Sequence, residues 1–171
     1  MKRRLEATRH RGQAAFTLIE MLIVIVILGI LAMIIIPQIS TSTGDAKLNT
    51  LRTNLSSMRN ATEIYFAQHN GVYPGGVLGG AASASEAFVQ QLTRFTDAAG
   101  TIATVKSGTN SFGPYIKGAT LGTNPFNDKN DVTVDTTEGD ITVRTSSGTT
   151  GWKFYVKTGA LIANDGTHDS E

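Results

Sequence analysis

From Met21 to Ile36 the chain places sixteen apolar or glycine residues in a row, and Phe16, Leu18 and Ile19 extend the run upstream. The twenty-one residues from Phe16 to Ile36 form a helix of about 31 Å at 1.5 Å per residue. That length is close to the roughly 30 Å hydrocarbon thickness of a bilayer. A segment this uniformly apolar has no polar face for water, so the rest of the chain is organised around it. One residue interrupts it. Glu20 sits near its start, where an unpaired carboxylate at bilayer depth costs about 2.5–3.5 kcal/mol on insertion scales. It either lies at headgroup level or has a dedicated positive partner in an assembly.

The residues ahead of the run favour the second reading. Met1 to Arg11 carries Lys2, Arg3, Arg4, Arg9 and Arg11 against Glu6 alone, so this end stays cytoplasmic by the positive-inside rule. Small residues follow (Gly12, Ala14, Ala15), and then Phe16-Thr17-Leu18-Ile19-Glu20 opens the apolar helix. This order resembles the class III signal peptide of the type IV pilin and pseudopilin family. The resemblance implies a membrane peptidase that cuts just before the apolar segment and N-methylates the new first residue. It also implies a Glu at the fifth mature position and a helix-bending Pro seventeen residues further on. Phe16 would be the first residue and Glu20 the fifth, and Pro37 stands at the third landmark. One position departs from the pattern. Ala15 precedes the cut where Gly is usual, and a cut after Gly12 would break both spacings. The motif covers about twenty-five residues. An ordinary secretory signal is the competitor, with cleavage near Ser40 to Ser42, but the helical pattern continues past that point.

A cut between Ala15 and Phe16 leaves a charged α-amine four residues from the Glu20 carboxylate. The two can neutralise each other within one chain, or set an axial register between staggered subunits. Removing one member of a buried ion pair is strongly destabilising, so assembly would be sensitive to Glu20.

Without the leader the charge balance changes sign. Residues 1–15 hold five of the fifteen basic residues and one of the fourteen acids, so the rest has ten against thirteen, a net −3. No basic patch points to nucleic acid. There is no Cys, which excludes a disulfide framework for an exported domain. Many type IV pilins brace their C-terminal region with a disulfide, so the resemblance leans toward pseudopilins.

Beyond Pro37, which loosens or bends the helix, an amphipathic stripe begins. Leu48, Leu51, Leu55, Met58, Thr62 and Tyr65 recur at three- and four-residue spacing. About two and a half heptads are too few for a coiled coil, so the stripe is expected to pack on the protein's own sheet. Asn70-Gly71 reads as a helix stop and Tyr73-Pro74-Gly75-Gly76 as a turn. Ser85 is the expected cap of a short helix over 86–96, with Phe88, Leu92 and Phe95 on one face. Val132-Thr133-Val134, Ile141-Thr142-Val143, Trp152 to Val156 and Leu161-Ile162 alternate as short antiparallel strands within 132–163. Their expected turns are Glu138-Gly139-Asp140, Ser147-Gly148 and Thr158-Gly159.

Catalytic chemistry is not visible. His10, His69 and His168 are scattered, and there is no G-x-S-x-G elbow, P-loop or G-x-G-x-x-G context. The remaining signal is Asn124, Asn127, Asp128, Asn130 and Asp131 in one loop and Asn164, Asp165 and Asp169 in another. Such hard oxygen ligands suit Ca²⁺, and the resemblance implies one in a C-terminal loop, here at Asp165 and Asp169. Asp and Asn also form turns for purely local reasons.

The expectation is therefore an α+β protein: leader 1–15, a helix over 16–70 with membrane segment 16–36, and a globular domain 71–171. Its long N-terminal helix, transmembrane in its first half and amphipathic in its second, packs on a small C-terminal antiparallel sheet. The resemblance implies a non-enzymatic subunit of a type II secretion pseudopilus or a type IV pilus-like filament. It would reside in the cytoplasmic membrane with its C-terminal domain outside. The implied partners are copies of itself, a prepilin peptidase, a membrane platform, minor pilins and membrane lipid. The alternative is a membrane-anchored extracytoplasmic protein that binds a ligand and does not polymerise.

Overall fold

The computed structural model describes residues 16–171, save the side chains of 35–42. Its fold class is α+β. Helix α1 runs over Leu18–Gln68, and the chain divides at Thr43/Gly44 into two units. In the first unit the described side chains of α1 form a continuous apolar, exposed surface.

In the second unit the helix changes character as its sequence does. Leu51, Leu55, Met58, Ala61, Thr62 and Tyr65 are buried, which is the expected stripe with Ala61 added and with Leu48, at its start, only partly buried. They pack with Phe88 and Leu92 of α2 (Ala84–Thr93) and with Trp152, Phe154 and Leu161 of the sheet. Full burial of such side chains contributes about 1.5–3 kcal/mol each, and this stabilises the helix where its propensity alone would not. The helix ends in a Schellman turn. Asn70 adopts φ 55°, and the Gly71 N–H reaches back to the Phe66 carbonyl at 3.1 Å. At that end His69 is buried, its ring stacked 3.6 Å from Tyr65, with Nδ1 2.8 Å from Tyr65 O and Nε2 2.9 Å from Thr96 Oγ1. Burial pushes the His69 imidazole below its usual pKa.

Helix α2 starts two residues earlier than the sequence suggests because Ser83, not Ser85, caps it. The Glu86 N–H donates to Ser83 Oγ, while Glu86 Oε2 accepts from the Ala82 N–H. The Ser85 hydroxyl instead accepts from the Val134 N–H of the sheet. The helix ends at Thr93 because Phe95–Thr96 (β1) pairs with Ile102–Ala103 (β2).

The main sheet has the order β3-β4-β5, with β3 Val132–Asp135, β4 Trp152–Tyr155 and β5 Ala160–Ala163. Strands β4 and β5 form the expected antiparallel hairpin, but β3 runs parallel to β4, so the sheet is mixed. The cause lies in 136–151. Asp135 Oδ1 accepts from Thr137 N, Thr137 Oγ1 and Glu138 N, and Asp140 Oδ1 accepts from Thr142 N and Oγ1. These local carboxylate turns compete with strand pairing. Ile141-Thr142-Val143 is therefore not a strand, and Ile141 is 65% exposed. The segment instead crosses back and delivers β4 alongside β3 in the same direction, which a parallel pair requires. At the hairpin, Gly159 (φ 72°) has no room for a side chain, because a Cβ would collide with the Tyr73 ring.

Candidate functional site

The start of α1 gathers the residues on which the sequence reading depends. Thr17 stands immediately before the helix and Glu20 lies in its first turn. The Thr17 N–H and Oγ–H both donate to Glu20 Oε2 at 2.8 Å, and the Glu20 N–H donates to Thr17 Oγ1 at 3.3 Å. This is a reciprocal capping box that satisfies helix N–H groups lacking an intrahelical partner. The carboxylate is thereby held at the helix start, beside the positive end of the macrodipole. Thr17 is the residue the sequence reading passed over, although its T-x-x-E spacing was there to be read.

Around this cap the surface is apolar on every side. Phe16 is 75% exposed and Met33 79%, and the large apolar residues between them are exposed as well. An exposed apolar surface this long marks an interaction site. Ala15 lies outside the described residues, as does the Pro37 side chain. Among the described residues no helix is long and apolar enough to cross a membrane; the run continues in sequence through Ile35 and Ile36.

The acidic and amide loops occupy the other end of the chain. Asp165 Oδ1 accepts from the N–H and Oγ–H of Thr167 and from the His168 N–H, with His168 Nδ1 3.0 Å away; Oδ2 accepts from Asn124 Nδ2 at 3.1 Å. Burial pushes this carboxyl up, but the hydrogen bonds from Asn124, Thr167 and His168 outweigh it and hold the pKa at about 2. Asp169 lines a surface cavity with Ile141, Thr142, Arg144 and Ser170. Among the described residues no three His, Cys, Asp or Glu side chains gather as a metal-binding group. Both oxygens of Asp165 are already committed to hydrogen-bond donors, which does not suit a calcium ligand set built on Asp165 and Asp169. Asn164 is buried and faces the 146–150 segment, its Oδ1 accepting from the Ser147 N–H at 2.6 Å and its Nδ2 donating to Thr150 Oγ1 at 2.7 Å.

Comparison with known proteins agrees with the apolar helix and its leader. Residues 10–36 match the family model described as the prokaryotic N-terminal methylation motif. The chain is similar to the protein named type II secretion system core protein G in three bacteria. Identity is 37% over 57 residues with that of Pseudomonas aeruginosa, covering 33% of this chain and 40% of the relative. It is 38% over 66 residues with that of Vibrio cholerae (39% and 44%), and 35% over 62 residues with that of Aeromonas hydrophila (36% and 43%). The chain thus spans about two fifths of the length of these curated relatives. No solved structure matches. The likeness thus lies in the N-terminal methylation motif and about a third of the chain, which is similar to these secretion-system proteins.

Proposed function

We propose that this chain is a structural subunit of a type II secretion pseudopilus or a type IV pilus-like filament. A prepilin peptidase cuts between Ala15 and Phe16 and methylates the Phe16 amine. The processed protein waits in the cytoplasmic membrane, its segment 16–36 in the bilayer and its C-terminal domain on the far side. Subunits then polymerise by burying the apolar surface of Phe16 to Ile34 against neighbouring copies. The observation that carries this reading is that surface, exposed from end to end in a single chain and opening on a capped carboxylate. Glu20 Oε2 is engaged with Thr17, which leaves the carboxylate's charge for the α-amine of a neighbouring Phe16. Pro37 bends the helix beyond the membrane segment, as the family's pattern implies.

The test is the mature N-terminus. Intact-mass and peptide mass spectrometry of the membrane-extracted chain, produced with a prepilin peptidase, should find N-methyl-Phe16 as the first residue. Without the peptidase the leader should stay on. A chain that keeps Met1 beside an active peptidase, or begins near Thr43, would overturn the assignment.

A further inference from the structure

The loop around residues 124–129 bonds to three consecutive backbone carbonyls across from it. Lys129 Nζ donates to Thr149 O at 2.7 Å, Asn127 Nδ2 to Thr150 O at 2.9 Å, and Asn124 Nδ2 to Gly151 O at 3.0 Å. Asn124 Nδ2 gives its second proton to Asp165 Oδ2. Neither amide can be turned over. Asn124 Oδ1 accepts from the Phe126 N–H and Asn127 Oδ1 from the Lys129 N–H, so a flip would set oxygen against oxygen. Asn124 is fully buried. The backbones also approach closely, since a Cβ on Gly151 would collide with the Lys129 carbonyl.

Carbonyl oxygens and a carboxylate are the kind of ligand that hard divalent cations bind, and Gly151 O and Asp165 Oδ2, from separate loops, meet at one nitrogen, Asn124 Nδ2. Here an ammonium and two amides face those oxygens. We propose that Lys129, Asn124 and Asn127 stand where a cation would otherwise stand among these oxygens, locking the 124–131, 149–151 and 165–168 segments together without metal. The arrangement places a donor hydrogen on each acceptor, and the bonds from Lys129 and to Asp165 are charge-assisted, the stronger kind. It explains why a cluster of Asn and Asp resembles a calcium loop in sequence while its side chains present N–H groups.

The test is thermal unfolding of the full detergent-solubilised chain, followed by fluorescence of Trp152, the single Trp and the residue next to the clasp. The wild-type Tm should be the same in millimolar Ca²⁺ and in chelator. Asn124→Ala and Lys129→Met should each lower Tm by about 5 °C, in both conditions alike. Asn124→Asp replaces the N–H centre with oxygen facing Asp165, and should melt early in chelator and recover with Ca²⁺. A wild-type Tm that Ca²⁺ raises by more than about 2 °C would overturn the proposal. So would Asn124→Ala and Lys129→Met chains that melt with the wild type, or an Asn124→Asp chain indifferent to Ca²⁺.

Discussion

Glu20→Gln should leave the protein processed and membrane-inserted but unable to build filaments. The substitution separates two roles that the carboxylate combines. Gln retains an oxygen that can accept from Thr17 as Glu20 Oε2 does, and Gln serves at this position of a capping box as well as Glu. The start of α1 should therefore survive. What is lost is the negative charge, and with it the counter-ion proposed for the Phe16 amine of a neighbouring subunit. Leaving one partner of a buried pair uncompensated costs about 3–5 kcal/mol, a factor of about 150 to 4,000 in each subunit addition. Immunoblots of membrane and sheared fractions report both halves of the expectation. Normal filament yield from a processed Glu20→Gln chain would reduce this carboxylate to a helix cap at the membrane surface.

Trp152→Ala should be the most damaging single change in the globular unit. Trp152 is fully buried in the central strand β4, paired with Val132 on one side and Ala163 on the other. Its Nε1 donates to the Gly122 carbonyl at 2.8 Å. Truncation removes the largest buried side chain and opens a cavity among Val132, Leu121 and the α1 stripe, for which about 3–5 kcal/mol is the usual cost. The orphaned carbonyl adds to it. Equilibrium urea unfolding read by circular dichroism should show the midpoint falling with little change in slope. A loss below about 1 kcal/mol would mean that the core is organised around other residues.

What could be read from sequence follows a physical division. The apolar run, the FTLIE opening and the Leu48–Tyr65 stripe each repeat a strong periodic or compositional signal, and the stripe is buried from Leu51 on as its spacing requires. The β4–β5 hairpin was legible because the apolar runs Trp152 to Val156 and Leu161-Ile162 flank the turn at Thr158-Gly159. The mixed sheet was not. Ile141-Thr142-Val143 has the composition of a strand, but Asp135 and Asp140 satisfy nearby backbone N–H groups locally and turn the segment away. A two-residue shift in the α2 cap had the same origin: Ser83 and Ser85 offer equivalent hydroxyls, and only the position of β3 assigns Ser85 to Val134. The Asn-rich loops were noticed, but the direction of their hydrogen bonds was not legible. Sequence shows that oxygens are present, whereas hydrogen-bond direction depends on Phe126 N and Lys129 N, which only the folded loop brings to bear.

The most direct measurement is electron microscopy of the sheared surface or membrane fraction from cells that overproduce the chain together with a complete type II secretion assembly machinery. The expected result is filaments composed of this chain, beginning at Phe16, with the helices of residues 16–36 packed in the core and the Gly44–Glu171 units outside. A processed chain that remains a dispersed membrane monomer beside working assembly machinery would contradict it. That outcome would leave a membrane-anchored protein with a folded extracytoplasmic domain in place of a filament subunit.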